Sequence, residues 1–208
     1  LISSLLDRFA EPETLKMAKL GRELRAKGVD VIDLSLGEPD FDTPRHIKDA
    51  AIKAINDNFS HYTPVAGFAD LREAVCTKLK RDNNLDYLPG NIITSTGAKQ
   101  SLANAILALV DEGDEVIIPT PYWVTYSELV KIARGKVVEI RTSVKNGFKT
   151  TPEELEAAIT PKSKVFMFSS PCNPSGAVYG KEELEALAVV FRKYHGITIL
   201  SDEIYEYI

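Results

Sequence analysis

The chain has 208 residues, 44% of them hydrophobic and 26% charged, and its formal net charge is −5. This length is enough for one domain with a substantial core, or for one domain and part of another, and the composition is typical of a soluble globular protein. The acidic balance argues against non-specific binding to nucleic acid or anionic membranes, and no apolar run approaches the roughly 20 residues that a membrane span requires.

The first part of the chain predicts three helices and one strand. Apolar residues at helical spacing predict a helix over residues 14–28, and an apolar stretch predicts a short strand over 29–34. Thr43 is a suitable N-cap for a second helix, over 44–56, whose first residue is proline. A third helix is predicted over 68–83, where leucine and valine recur every four residues.

Strand-like and helix-like segments alternate from residue 91 onward. The predicted strands are 91–96, 115–119, 137–140, 164–169 and 197–202. The predicted helices are 98–110, 124–133, one that begins with a capping signature at Thr151, and 181–194. This alternation predicts βαβ units and a mostly parallel sheet covered by helices on both faces, which is a three-layer α/β fold. A shift in composition near residue 40 separates an N-terminal arm, residues 1–40, from this sheet domain, residues 41–208.

The ends of the predicted strands are where such sheets bind ligands. After the first strand, Gly97-Ala98-Lys99-Gln100 opens a helix, where small residues let backbone N–H groups converge on an anion. An ordinary turn before a helix has the same pattern, and the absence of a Walker A or GxGxxG motif leaves ATP and NAD poorly supported. Trp123, the only tryptophan, follows the second strand. It could stack on a planar ring or be a core or interface aromatic.

Two later strand ends carry further polar groups. Asn173 lies in a turn between two prolines, where its amide could face a ligand or complete a rigid turn. Asp202 ends an apolar strand, where a carboxylate is costly to bury without a cationic partner, although an aspartate there could also cap a helix. Tyr205 adds a phenol three residues later. An anion cup, a stacking tryptophan, an amide, a carboxylate and a phenol together form the contacts that a pyridoxal phosphate ring requires.

The cysteines indicate the compartment. Cys76 and Cys172 are far apart and form neither a CxxC motif nor a Cys/His cluster, so no metal site is predicted. Two thiols without a disulfide framework suit a reducing cytoplasm. The apolar residues 1–6 are too few for a signal-peptide core. We therefore expect a cytoplasmic location.

Six motifs together resemble the fold type I, pyridoxal-phosphate-dependent aminotransferases, and most closely the bacterial aspartate aminotransferase branch. They occur in family order over essentially the whole chain: Leu36-Gly37-Glu38-Pro39-Asp40-Phe41, Tyr62-Thr63-Pro64-Val65-Ala66-Gly67, Gly97-Ala98-Lys99-Gln100, Pro121-Tyr122-Trp123, Asn173-Pro174-Ser175-Gly176 and Ser201-Asp202-Glu203-Ile204-Tyr205. The resemblance implies the family's large domain, with a small-domain segment in the N-terminal arm, and pyridoxal 5′-phosphate as cofactor.

The resemblance also implies a role for each matching residue. Gly97, Ala98 and Lys99 correspond to the phosphate cup, Trp123 to the ring that stacks on the cofactor, and Asp202 to the carboxylate that keeps the ring nitrogen protonated. Asn173 and Tyr205 correspond to the pair that hydrogen-bonds the ring 3′-oxygen, and the Asn173–Pro174 peptide bond is expected to be cis.

Substrate and partner roles are implied in the same way. Gly37 corresponds to the residue whose backbone meets the substrate α-carboxylate, with Trp123 and Asn173 also at the substrate. Lys99 is the candidate for the distal carboxylate of aspartate, although it could contribute only its amide and a solvated charge. Tyr62 corresponds to the tyrosine that reaches the cofactor phosphate of the partner subunit in a homodimer.

The implied activity is transamination between an amino acid, with aspartate favoured, and 2-oxoglutarate. The family's Schiff-base lysine and its carboxylate-binding arginine come after the Asp-x-x-Tyr motif, so the sheet is expected to be incomplete and this chain alone to be inactive. Specificity for aromatic substrates or prephenate, and a lyase or decarboxylase on the same fold, remain alternatives. A regulator's effector-binding domain is less favoured, because the residues before residue 14 include only one basic residue, Arg8, and no basic DNA-binding module.

Overall fold

The structure is a computed structural model that describes residues 2–8, 13–34 and 37–208. Leu36, from the first motif, lies outside the described residues. The chain divides into two units, one formed by Glu11–Ser95 and the other by Leu1–Ala10 together with Thr96–Ile208. This division follows packing within the chain, and the predicted arm boundary at residue 40 stays a prediction.

The unit Glu11–Ser95 is helical. Its described helices are α1 (Glu13–Ala26), α2 (Arg45–Asn56) and α3 (Ala69–Asn83), close to the predicted bounds. Two predictions are wrong here. The described residues 29–34 form no strand, and Thr43 does not cap α2, because Pro44 occupies the N-cap position and no side chain caps the helix.

The other unit contains a four-stranded sheet in which every pairing is parallel. Its strands are β1 (Glu115–Thr120), β2 (Lys136–Arg141), β3 (Ser163–Ser169) and β4 (Thr198–Asp202), in the spatial order β2-β1-β3-β4. Its helices are α4 (Ala98–Leu109), α5 (Thr125–Ile132), α6 (Pro152–Ala158) and α7 (Lys181–Phe191).

The strand predicted over 91–96 is absent from those described residues. Thr94 instead donates its backbone N–H to the carbonyl of Ala66, at 3.1 Å.

Two apolar clusters lie on opposite faces of the sheet. Side chains alternate along β1, so Val116 and Ile118 pack with α4 and α5, whereas Ile117 packs with α6 and α7. Burying each large apolar side chain stabilises the fold by about 1.5–3 kcal/mol. Helices therefore cover both faces of a parallel sheet, and the predicted three-layer α/β fold is confirmed.

Side-chain hydrogen bonds stabilise two further features of this unit. At α6, the Thr151 hydroxyl accepts the Glu154 N–H at 3.2 Å, and the Glu154 carboxylate accepts the Thr151 N–H at 2.9 Å, which is the predicted capping box. At the start of β1, buried Glu115 accepts a hydrogen bond from Thr160 at 2.5 Å and pairs with Lys136 at 3.0 Å. The Thr160 hydroxyl first, and then Lys136, hold the pKa of Glu115 below its usual value.

Candidate active site

The topology of the sheet defines one position for a ligand. The chain passes from β1 to β2 on one side and then to β3 on the other side of β1, so the strand order reverses between β1 and β3. Ligands of open α/β sheets bind at the carboxyl ends of the strands beside such a reversal. The loops that carry Trp123 and Asn173 follow β1 and β3 here, and Asp202 ends the neighbouring strand β4.

Asp202 is a buried carboxylate held by two donors. It is the register partner of Ser169 and is 8% exposed. Its Oδ2 accepts from the hydroxyl of Tyr126 at 2.7 Å, and its Oδ1 accepts from the backbone N–H of Ile204 at 3.2 Å. No ion pair within the described residues involves Asp202. A buried carboxylate without a cationic neighbour is costly, so this position suits a ligand atom that carries a positive charge or a proton.

The alternative role considered for Asp202, as a helix cap, is wrong. The Ile204 N–H that it accepts lies two residues on, as in an Asx turn. The residues that follow Asp202 form turns and no helix within the described chain. Its carboxylate therefore organises a tight turn that leads to Tyr205.

Tyr126 was not anticipated from the sequence. It lies in the first turn of α5, is 1% exposed, and packs its ring edge-on to Trp123, with ring centroids 5.8 Å apart and planes at 86°. Burial, and then the hydrogen bond to Asp202, raise the pKa of the Tyr126 hydroxyl well above its ordinary value, so it stays a donor at neutral pH. The usable signal was its place three residues after Trp123, where the Tyr126 N–H donates to the Trp123 carbonyl oxygen at 2.9 Å.

Asn173 and Tyr205 form a second pair. The Asn173 side-chain amide donates to the Tyr205 hydroxyl at 3.3 Å, and both residues are partly buried. The Asn173–Pro174 peptide bond is cis, as predicted. The Cys172 thiol lies 3.4 Å from the carbonyl oxygen of Pro121, so the loops after β1 and β3 are in contact. An open pocket lined by Cys172, Asn173 and Tyr205, among others, lies at this edge of the sheet.

The turn before α4 presents free backbone donors. Gly97 has a φ of 81°, and a Cβ there would meet nothing within 4 Å, so this left-handed conformation, rather than crowding, favours glycine. Within the described residues, the N–H groups of Gly97, Ala98 and Lys99 have no hydrogen-bond partner. The Gln100 side chain closes the turn by accepting the Thr96 N–H at 2.6 Å. Free N–H groups at a helix N-terminus with open space in front form a suitable anion site.

Lys99 connects this turn to the aromatic residues. Its side chain is exposed, and its Nζ lies 5.0 Å from the centre of the Trp123 ring, a distance at which an ammonium is attracted to an indole face. Contacts therefore join Lys99, Trp123, Tyr126 and Asp202 in one continuous series. This series brings together the positions that we predicted for an anion, a flat ring and a proton-bearing nitrogen.

Two predicted residues lie in the other unit. Gly37 is exposed, and Tyr62 is fully exposed, with a relative accessibility of 107%. Their predicted roles, at the substrate carboxylate and at the partner's cofactor, stay predictions. In the part of the chain that the structure describes, no group of three or more His, Cys, Asp or Glu side chains is placed to hold a metal ion, and no helix is long and apolar enough to cross a bilayer.

Comparison with known proteins gives consistent matches. The family model for aminotransferase class I and II matches residues 29–208. The chain is 52% identical over 207 residues to an aspartate/prephenate aminotransferase of Nitrosomonas europaea, which covers 100% of this chain and 52% of the relative. The aspartate aminotransferase from Rhizobium meliloti superposes with a TM-score of 0.96 at 42% identity, over 100% of this chain and 52% of that one.

A second solved structure, aspartate aminotransferase from Thermus thermophilus with maleate, matches with a TM-score of 0.94 at 45% identity, over 99% of this chain and 54% of that one. These matches confirm the predicted resemblance and the fold class. The chain spans about half the length of the relatives that it matches.

Proposed function

Because the chain belongs to the class I and II aminotransferase family, we propose that its strand-end residues bind pyridoxal 5′-phosphate, the cofactor on which this family depends. We propose further that the complete protein transfers an amino group between aspartate and 2-oxoglutarate. The observation that carries the proposal is buried Asp202, which two donors hold and which no cation neutralises within the described residues.

The residues present fit the cofactor group by group. The free N–H groups of Gly97, Ala98 and Lys99 would hold the phosphate at the start of α4. Trp123 would lie against the pyridine ring, and Asp202 would accept a hydrogen bond from its protonated nitrogen. Asn173 and Tyr205, already paired at 3.3 Å, would bind the ring 3′-oxygen.

The chemistry assigns a task to each of these groups. When bound, pyridoxal phosphate accepts the electron pair released at the substrate α-carbon. Asp202 would hold the proton on the ring nitrogen, and the protonated ring would draw that electron pair more strongly. Asn173 and Tyr205 would donate hydrogen bonds to the 3′-oxygen and lower its basicity. The backbone donors of the Gly97 turn would fix the orientation of the ring through its phosphate.

Catalysis requires further groups. The family's catalytic lysine and the arginine that binds the substrate α-carboxylate follow the Asp-x-x-Tyr motif, and Tyr205 is the last residue of that motif here. We expect activity from the complete protein and not from the 208 residues alone. Gly37 would meet the α-carboxylate through its backbone. Tyr62, fully exposed, would reach the phosphate of a second subunit in a homodimer, which light scattering of the purified protein would detect.

Aspartate is the favoured substrate because a cation lies beside the stacking residue. The exposed ammonium of Lys99, 5.0 Å from the Trp123 ring centre, is available to a distal carboxylate. The Thermus thermophilus match was solved with maleate, which is a dicarboxylate. Prephenate is a second candidate, since the Nitrosomonas europaea relative is named for both activities. Prephenate also carries a carboxylate beyond its oxo-acid group.

The free thiols of Cys76 and Cys172 are consistent with a cytoplasmic location.

The test is a set of transaminase assays on the complete protein with 2-oxoglutarate as acceptor. We expect turnover with aspartate, and kcat/KM for aspartate about 10–100-fold lower in Lys99→Gln, which is the effect of losing one charged hydrogen bond. Alanine turnover should change little. Lys145→Gln, an exposed lysine outside the site, is the control. No turnover with any amino donor would refute the proposed reaction, and equal losses for aspartate and alanine would refute the role of Lys99.

A further inference from the structure

We propose that Tyr126 is the positioning residue of this site, whose hydroxyl holds the Asp202 carboxylate while its ring edge supports Trp123. The proposal rests on the proposed cofactor-binding function and adds a residue to it. Tyr126 is assigned no contact with the cofactor. It acts through the two residues that would make such contacts.

The hydrogen bond between Tyr126 and Asp202 joins distant parts of the fold. Tyr126 lies on α5, which follows β1, whereas Asp202 ends β4, and β3 separates these two strands in the sheet. The oxygen atoms are 2.7 Å apart, and both residues are buried. Such a bond contributes little to the local folding of either element. It ties the loop after β1 to the end of β4.

The donor arrangement at Asp202 fixes the plane of its carboxylate. Oδ2 accepts from Tyr126 and Oδ1 accepts from the Ile204 N–H, so each oxygen is held from a different element. Each oxygen keeps a second lone pair that can accept a further donor. Asp202 is therefore presented as an oriented acceptor, which is what a protonated ring nitrogen requires.

The ring of Tyr126 positions the stacking residue. It packs edge-on against Trp123 at 5.8 Å, and it lies nearly parallel to Tyr122, with centroids 6.4 Å apart and planes at 16°. Edge-to-face pairs of this kind favour one orientation of the partner ring. Since phenylalanine keeps the ring and loses only the hydroxyl, the two contributions of Tyr126 can be separated.

The experiment is a double-mutant cycle on cofactor affinity in the complete protein. Trp123 is the only tryptophan in this chain, so quenching of its emission follows the binding of pyridoxal phosphate; tryptophans elsewhere in the complete protein would be replaced by phenylalanine. We expect Tyr126→Phe to raise Kd about 10-fold, from the loss of one donor to a charged acceptor. In an Asp202→Asn background the same change should alter Kd less than about twofold, because the negative charge that the hydroxyl orients toward the cofactor is then absent.

The control is Tyr179→Phe. Tyr179 is also buried and its hydroxyl accepts the Thr150 N–H at 2.8 Å, but it packs in the cluster on the opposite face of the sheet. Its loss should leave the cofactor affinity unchanged. The emission maximum of Trp123 without cofactor should be the same in Tyr126→Phe as in the wild type, since the ring packing is kept.

Three results would overturn the positioning role: an unchanged Kd for Tyr126→Phe, equal effects of that change in both backgrounds, or an effect of Tyr179→Phe of the same size. If Tyr126→Phe alone does not fold, recovery of folding in the Asp202→Asn background supports the proposal, and continued failure overturns it. Failure of the cofactor assignment would look different, because the wild type would then bind no pyridoxal phosphate or Asp202→Asn would bind it as well as the wild type.

Discussion

Replacing Asp202 with asparagine should separate cofactor binding from folding. The side chain keeps its shape and can still accept the Tyr126 hydroxyl through its carbonyl oxygen, but its charge is lost. A hydrogen bond to a charged acceptor contributes about 1.5–3 kcal/mol, so pyridoxal phosphate should bind about 10–150-fold more weakly. Asp202→Ala, which removes the acceptor altogether, should abolish transamination in the complete protein.

The same substitution should leave the stability of the cofactor-free protein nearly unchanged. The carboxylate is 8% exposed and unpaired by any cation within the described residues, so neutralising it relieves a desolvation cost. Against this, the new amide N–H₂ group faces the Ile204 N–H and loses one hydrogen bond. These contributions oppose each other, and we expect a net change within about 1 kcal/mol, or about 2–4 °C in Tm.

Fluorescence titration of Trp123 and denaturant unfolding of the cofactor-free protein measure the two effects. Glu139→Gln is the matched control, because Glu139 is also a carboxylate that accepts a tyrosine hydroxyl, from Tyr122 at 2.9 Å, but it is exposed. It should change neither quantity by more than the error. Unaltered affinity in Asp202→Asn would refute the assignment of Asp202 to the ring nitrogen, and so would a loss of affinity fully explained by unfolding.

Three further predictions concern stability. The pKa of Glu115 is lower in the folded protein than its ordinary value near 4.5, so the ionised carboxylate stabilises the fold at pH values above 4.5. This stabilisation is lost as the pH falls through the pKa of the folded state. The unfolding free energies of the wild type and Glu115→Gln should therefore converge as the pH is lowered from 7 to 3. Thr151→Ala removes the capping box of α6 and should cost about 1 kcal/mol by denaturant titration. Gly67→Ala should destabilise more than Gly28→Ala in thermal melts, because both have positive φ but only the former places a Cβ 1.9 Å from Thr94 Oγ1.

The periodic elements could be predicted because their signals are local. Helix bounds followed from apolar spacing, and the capping box at Thr151 followed from two residues three apart. The strands predicted at 29–34 and 91–96 were wrong for a physical reason. An apolar run favours extended backbone, but a strand also needs a neighbour to complete its hydrogen bonds. Within the described residues those segments have no such neighbour, and Thr94 bonds to the loop at Ala66 instead.

The sequence predicted which residues at the strand ends form the candidate site, but not the hydrogen bonds between them. Asp202, Asn173 and Trp123 follow strands, and the rule that ligands bind at carboxyl ends of parallel strands brings them to one edge. The hydrogen bond from Tyr126 crosses 76 residues of sequence, and no local pattern specifies which buried tyrosine will meet which carboxylate. The helix-cap alternative for Asp202 failed for the same reason, since a turn and a cap begin with the same residue types.

The buried side chains of Asp202 and Tyr126 each provide the hydrogen-bond partner that the other needs. Left alone, Asp202 would be costly to bury, and left alone, the Tyr126 hydroxyl would be an unsatisfied donor in the apolar cluster beneath α4 and α5. Paired at 2.7 Å, they satisfy one bond each, but the negative charge of the carboxylate remains without a counter-charge within the described residues. Folding alone does not account for that residual charge, and under the proposed function a protonated ring nitrogen held against Trp123 would supply the missing partner.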